Sequence, residues 1–140
     1  MAGQVTATAT LRVGLETFLN SVSPTGGYGV VFEDDGETGY FYGLKLDGGT
    51  QAILDALHVY NAKDVRDRDR PSLLEIAWTP EGRRTALLIN HYPHAVFDFI
   101  SRRACCRTGF PPANGDFTDS HQWDDAVWKL FADPAPSGSA

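Results

Sequence analysis

The chain has 140 residues, of which 42% are hydrophobic and 11% aromatic, and its eighteen Asp and Glu against twelve Lys and Arg give a formal net charge of −6. This composition excludes a disordered chain, and the acidic balance, without a Lys/Arg cluster free of neighbouring acids, argues against a nucleic-acid partner. The length predicts a single domain, which we place over residues 1–131.

The sequence also predicts where in the cell the protein is found. The first residues, MAGQVTATATLRVG, lack the charged start and apolar stretch of a signal peptide, and no segment reaches the length of a membrane span. We therefore expect no membrane association. The only cysteines, Cys105 and Cys106, are adjacent and poorly placed for a disulfide. Free thiols suit a reducing compartment, so we expect a cytoplasmic protein.

The first segment, residues 6–13, alternates Thr with Ala and predicts a strand. Helical spacing is also possible for the apolar residues of this region, which are Leu11, Leu15, Phe18, Leu19 and Val22. We favour extended structure, because TATATLRV reads with a period of two. The sequence SPTGG at 23–27 predicts the turn that ends this part of the chain.

A β-hairpin is predicted next, over residues 28–46, because two aromatic and β-branched runs flank the Asp-Gly step at Asp35 and Gly36. One face of the second strand carries Tyr40, Tyr42, Leu44 and Leu46. The other face carries Phe41 between Gly39 and Gly43, where the small residues would let another element approach closely.

The middle of the chain continues as strands joined by short connections. Residues 51–61 favour a strand over a helix because of their β-branched and aromatic ending, and the charged run at 63–71 predicts an exposed connection. Residues 73–79 and 83–90 predict a second hairpin, and 95–100 predict a further strand. The result is an antiparallel meander sheet of about six strands.

The C-terminal region predicts a loop and then a helix. Residues 101–117 are rich in Arg, Cys, Gly, Pro and Asn and predict an ordered loop. Asp119 or Ser120 can cap the following helix. Its apolar stripe consists of Trp123, Val127, Leu130 and Phe131. The fold class is therefore α+β, mainly β, with one C-terminal helix packed on the sheet, and residues 132–140 form a disordered tail.

Metal and cofactor motifs are weak in this sequence. The four histidines are His58, His91, His94 and His121, and their spacing does not match a zinc-protease helix. The acidic run at 33–37 lacks the spaced oxygen ligands of a calcium loop, and no phosphate-binding GxxxxGK motif is present. The sequence predicts no cofactor, no metal ligands and no catalytic residues.

An alternative reading is a small-molecule-binding domain or an enzyme. A cysteine nucleophile needs a base and a group that orients the base, and Cys105 or Cys106 with His94 and Asp98 supply those residue types. The full alternative pocket comprises His58, His94, Asp98, Cys106 and Arg107. For the two cysteines, a structural or incidental role is the competing reading.

The leading reading is a non-catalytic protein that binds another protein. Acidic side chains lie next to aromatic ones in the first hairpin, and Tyr and Trp are favoured at protein interfaces. The predicted partner-binding residues are Glu33, Asp34, Asp35, Glu37, Tyr40 and Tyr42. Their charge favours a basic protein partner. The same aromatic residues could instead serve a homodimer.

Several motifs taken together resemble those of a bacterial family of small stand-alone proteins of unknown function. They are FEDDGETGYFY at 32–42, ILDALHVYN at 53–61, INHYPHAVFDF at 89–99, CRTGFPP at 106–112 and HQWDD at 121–125. The resemblance covers about residues 13–131 and implies no activity, cofactor or catalytic residue. By analogy of size and fold alone, small acidic β-rich proteins of this kind include immunity proteins that inhibit toxins, which is one form the predicted binding could take.

Overall fold

The structure is a computed structural model that describes residues 3–132. The predicted tail at 132–140 lies outside these residues except for Ala132, which ends the helix. No helix in the described part of the chain is long and apolar enough to cross a membrane.

Residues 3–132 form nine strands and one α-helix. The strands are β1 (Gln4–Leu11), β2 (Thr17–Val22), β3 (Tyr28–Asp34), β4 (Thr38–Asp47), β5 (Thr50–Asn61), β6 (Ser72–Trp78), β7 (Arg84–Ile89), β8 (Tyr92–Asp98) and β9 (Arg103–Cys106). The helix α1 is Asp125–Ala132, and a single 3-10 turn, Ala62–Asp64, follows β5. The small sheet has the order β2-β3-β4-β5, and the large sheet has the order β1-β6-β7-β8-β9.

The predicted class, mainly β with antiparallel meanders and one C-terminal helix, is confirmed. The strand count is nine in two sheets, where about six strands in a meander were predicted. The strand count rises partly because β9 lies in a region that was predicted as loop. The second sheet arises because β1 pairs with β6 and leaves β2 to start a separate sheet. This pairing joins residues more than sixty positions apart, for example Leu11 with Ser72, and no local pattern encodes it.

The main core lies between the two sheets. Phe32, Phe41 and Leu57 of the small sheet are fully buried against Trp78 and Phe97 of the large one. Each such side chain contributes about 1.5–3 kcal/mol by its burial. The predicted close approach at the glycines is confirmed, because a Cβ at Gly43 would lie 3.1 Å from the Phe97 ring.

A second core lies on the outer side of the large sheet, under α1. Val127 and Phe131 of the helix are buried together with Val96 and Cys105. The predicted cap at Asp119 or Ser120 is wrong. Asp124 caps the helix, because its Oδ1 accepts the backbone N–H of Ala126 at 2.9 Å, whereas the Ser120 hydroxyl accepts the backbone N–H of Gln122 in the preceding turn. Of the predicted stripe, Leu130 is only half-buried, while Trp123 packs against this core as expected.

The prediction of a loop over residues 101–117 is wrong in part, because it contains β9. Cys105 and Cys106 are fully buried there, and they pack into the second and the main core respectively. Cysteine acts here as a small apolar residue, which the loop-like composition around it conceals. The preceding strand β8 begins at Tyr92, three residues earlier than predicted, because a bulge opposite Leu87 and Leu88 accommodates Pro93.

Candidate functional site

The outward-facing side of the small sheet is the candidate site. Strand pairing aligns Phe18, Glu33, Tyr40 and His58 in one row across the four strands, and Asn20, Val31, Tyr42 and Ala56 in another. The row between them, Leu19, Phe32, Phe41 and Leu57, faces the core. Because side chains alternate along a strand, the first two rows share the opposite side, which we call the outer face.

The outer face exposes apolar and aromatic side chains. Phe18 is 65% exposed on the edge strand β2, and Val31, Tyr40 and Tyr42 are half-buried. A third row adds Val22 and Ile53, which are 55% and 66% exposed. A large exposed apolar patch on a water-soluble surface commonly marks an interaction site.

The aromatic side chains of the outer face pack against one another. The rings of Tyr40 and Tyr42 stack with centroids 5.9 Å apart, and the Tyr40 ring meets His58 edge-on at 5.3 Å. His58 in turn meets Phe110, from the loop after β9, at 5.7 Å. Such contacts restrict the rotamers of these rings and hold them in one arrangement.

His58 anchors the loop after β9 to this face. Its Nδ1 lies 3.0 Å from Thr108 Oγ1 and its Nε2 lies 3.0 Å from Asn61 Oδ1, while its backbone N–H donates to Phe110 at 2.8 Å. Both ring nitrogens are therefore engaged within the protein. The histidine positions Phe110 and has no nitrogen left over for proton transfer to a substrate.

The net negative charge of the protein comes from the segment that forms the small sheet. Residues 16–61 contain seven of the eighteen carboxylates and one of the twelve Lys and Arg, and the rest of the chain contains eleven of each. The net charge of −6 thus resides entirely in this segment. Its one Lys or Arg, Lys45, lies over the Tyr28 ring at 4.7 Å, and Tyr28 stacks on Phe99 in the turn after β8, so Lys45 lies on the side of β4 opposite to the outer face.

The predicted partner-binding residues are only partly brought together. Glu33, Tyr40 and Tyr42 lie on the outer face, where Glu33 is exposed. Asp35 and Glu37 are exposed in the β3–β4 turn at its end. Backbone N–H groups of Thr38 and Glu37 donate to Asp35 and hold the pKa of its carboxyl below the usual value, so it stays charged. Burial, followed by the charge of Glu33, raises the pKa of Tyr42, which keeps its hydroxyl as a donor.

Asp34 points the other way, into the protein, and is 1% exposed. Its carboxylate accepts the backbone N–H groups of Gly14 and Gly36, each at 2.8 Å, and the Tyr60 hydroxyl at 2.5 Å. Burial and this carboxylate together raise the pKa of Tyr60. Asp34 therefore joins three segments of the fold, and its side chain is not available to a partner in this conformation.

The residues of the alternative pocket lie in separate places. Asp98 is fully buried and bonds Arg84 at 3.2 Å, at the end of β8 opposite to His94 and about 13 Å from it along the strand. His58 belongs to the outer face. Arg107 lies between the rings of Tyr92 and Trp123, at 4.5 and 3.5 Å from their centroids. The structure thus does not assemble a nucleophile, base and orienting acid from this set.

The two thiols are protected by their burial. Burial raises the pKa of Cys105 to about 11 and also raises the pKa of Cys106, so both are protonated at neutral pH. We expect the folded protein at pH 8 to react with a disulfide reagent at least about 100-fold more slowly than the same protein in urea. A spectrophotometric thiol assay measures both rates. Rapid reaction of one thiol per folded chain with the reagent would contradict this prediction.

Sequence reasoning missed part of this site. Val31 was not singled out, Phe110 was noted only as one of several aromatic residues in excess of what one small core needs, and Phe18 only as an apolar position compatible with a helix. The alternation of VVFED, taken with the Asp-Gly turn, could have placed Val31 beside Tyr42. No local signal could have placed Phe110, because it reaches the face from the loop after β9. Within residues 3–132, no group of three or more His, Cys, Asp or Glu is arranged to hold a metal ion.

Comparison with known proteins gives a family and a relative. The family model described as "Uncharacterized protein conserved in bacteria (DUF2251)" matches residues 11–132. A Haemophilus influenzae protein named "Uncharacterized protein" is 53% identical over 72 residues, which are 51% of this chain and 45% of the relative. The chain therefore matches about half the length of that relative. No solved structure matches the chain.

Proposed function

We propose that this chain, which belongs to the bacterial family DUF2251, is a non-catalytic protein that binds a basic protein partner through its outer face. The observation that carries the proposal is a set of half-buried, mutually packed aromatic side chains, next to the exposed Phe18, on the part of the protein that holds all of its net charge. Aromatic residues supply most of the binding energy at many interfaces, and unbalanced charge selects a partner of opposite sign.

The arrangement of charge supports a basic partner in particular. The exposed carboxylates of Glu16, Glu33, Asp35 and Glu37 lie on or next to the strand ends and the turn that border the outer face. A cationic surface would gain attraction from each of them, whereas a second copy of this chain would bring the same charges into contact. Binding should therefore weaken as salt is added, because ions screen such pairs over about 10 Å at 0.1 M.

Non-catalytic action is supported by the state of the groups that could do chemistry. His58 is held by Thr108 and Asn61, and Asp98 by Arg84 and two backbone N–H groups. The Cys106 thiol is buried and protonated. We propose stoichiometric binding of the kind seen in immunity-like inhibitors as the form that this function takes, on the analogy of a small, acidic, β-rich protein.

The test is the affinity of a co-purified basic partner for variants of the outer face. We expect Glu33→Lys to weaken binding about tenfold or more, because a favourable charge pair becomes a repulsive one, and Tyr42→Ala to weaken it comparably by removing an aromatic contact. Asp119→Lys makes the same charge change on an exposed residue of the C-terminal loop and should alter affinity less than about twofold. Calorimetry at low and high salt measures the affinity of all three variants for the partner.

Two results would overturn the proposal. One is wild-type affinity in both Glu33→Lys and Tyr42→Ala, which would show that the partner binds elsewhere. The other is a chain that self-associates through this face, seen in sedimentation as a dimer that Tyr42→Ala dissociates. Circular dichroism of each variant confirms that the fold is intact before affinities are compared.

A further inference from the structure

We propose that a cavity at the end of the sandwich, beside His94, binds a small organic anion. The cavity has a volume of about 510 Å³, in the range of small-molecule sites. Val13, Tyr60 and Ile89 supply apolar and aromatic walls, and His94 lines it from β8. None of these residues belongs to the outer face, so the proposal is independent of the proposed function.

A β-bulge aims His94 at this cavity. Leu88 pairs with Pro93 and Leu87 pairs with Ala95, so His94 is the extra residue between two regular pairs. Bulges often redirect a side chain next to a functional site. Within residues 3–132, the His94 ring meets the Tyr92 ring edge-on at 5.4 Å and makes no hydrogen bond. The ring nitrogen atoms are therefore free to bond a ligand.

The His94 ring is neutral at physiological pH. Burial, together with the nearby Arg107 cation, lowers the pKa of His94 to about 4. A neutral imidazole offers one N–H donor and one acceptor nitrogen. A carboxylic or phosphate oxygen, which accepts a hydrogen bond, would meet the donor. A bound anion would also stabilise the protonated form of His94, which the Arg107 cation disfavours.

Positive charge lies at the rim of the cavity in an otherwise acidic protein. Arg66, Arg68 and Arg70 line it, against the single carboxylate of Asp67. Arg68 donates to the Ala62 carbonyl at 3.3 Å, and none of the three arginines forms an ion pair with another residue in the range 3–132. Guanidinium groups bind carboxylate and phosphate by paired hydrogen bonds. The rim of the cavity thus suits the anionic group of a ligand, and its walls suit the apolar part of the same ligand.

The probes are benzoate and phenyl phosphate, which share an apolar ring and differ in the anion, with benzamide as the neutral control. We expect saturable chemical-shift changes in the full chain at Val13, Ile89 and His94 with benzoate or phenyl phosphate. The stronger of the two identifies the preferred anion. Arg66→Gln with Arg70→Gln should weaken binding about tenfold or more, whereas Arg83→Gln, an exposed arginine outside the cavity, should change it less than about twofold.

A pH titration places the probe beside His94. Bound benzoate should raise the pKa of His94 by about one pH unit, because its carboxylate stabilises the imidazolium form. The proposal is overturned if neither anion binds, if benzamide binds as well as benzoate, or if the double arginine variant binds like the wild type. It is equally overturned if the probe binds without changing the His94 titration.

Discussion

Replacing Asp34 by alanine is expected to lower the free energy of unfolding by about 3–5 kcal/mol. The carboxylate is 1% exposed and accepts three hydrogen bonds, from Gly14, Gly36 and Tyr60. Its removal leaves two backbone N–H groups and a buried hydroxyl without an acceptor. Because the three donors come from the β1–β2 connection, the β3–β4 turn and β5, the loss should loosen the whole end of the small sheet.

Urea denaturation monitored by tryptophan fluorescence measures this loss, and two variants serve as controls. Asp35→Ala removes a neighbouring carboxylate that is exposed and bonds only within its own turn, so its effect should be much smaller. Tyr60→Phe removes one of the three donors and should fall between the two. An Asp34→Ala protein within about 1 kcal/mol of the wild type would show that water replaces the carboxylate at little cost.

This prediction also governs how binding is tested. A charge reversal at Asp34 would place a cation in a buried site that is built for an anion, and lost binding would then report lost structure. Glu33, one position earlier in β3, is exposed on the outer face. The pair Glu33 and Asp34 therefore separates a surface charge from a structural one, at adjacent positions of the same strand.

Replacing His121 by leucine is expected to cost about 3–5 kcal/mol of stability. His121 is 3% exposed, and its Nε2 lies 2.8 Å from Asp55 Oδ2 while its Nδ1 faces the Pro111 carbonyl. Both neighbours carry acceptor oxygens, so the buried ring bridges the Asp55 carboxylate and the Pro111 carbonyl. Leucine would leave that carboxylate without its partner in a largely buried position.

The matched control is His91→Leu. His91 also lies next to a carboxylate, with Nδ1 3.2 Å from Glu75 Oε1, but its side chain is 78% exposed, so its loss should cost less than about 1 kcal/mol. The double variant Asp55→Leu with His121→Leu should recover part of the stability, because it also removes the carboxylate that His121→Leu alone leaves without its partner. Equal stability of the two single histidine variants would contradict a structural role for the His121–Asp55 pair.

Several elements could be read directly from the sequence. The hairpin of β3 and β4 follows from two runs with a period of two around an Asp-Gly step, and the hairpin of β6 and β7 follows from the turn at 80–82. The apolar stripe of α1 predicted the helix and its packing on a sheet, although the cap lies at Asp124. The family resemblance carried by the strand motifs is confirmed by the match over residues 11–132.

Other features could not be read in this way, because they depend on contacts between distant parts of the chain. The alternation of β3 separates Glu33 from Asp34 but does not say which of them the core covers. The same limit applies to β9, where the sequence around Cys105 and Cys106 reads as a loop until β8 and α1 bury it. Likewise, Asp98 and His94 are close in sequence, yet the extended strand holds them about 13 Å apart.

The sequence by itself determined the local elements and the residues that share each face, because period, turn chemistry and charge are properties of neighbouring positions. Only the tertiary structure decided which face became the core and which remained open. The pairing of β1 with β6 divided the strands into two sheets, the core then formed between them, and Phe18, Glu33, Tyr40 and Tyr42 were left on the outside. The cavity beside His94 depends on the same closure, since β5, β7, β8 and the connection at 65–71 meet only when the two sheets pack together.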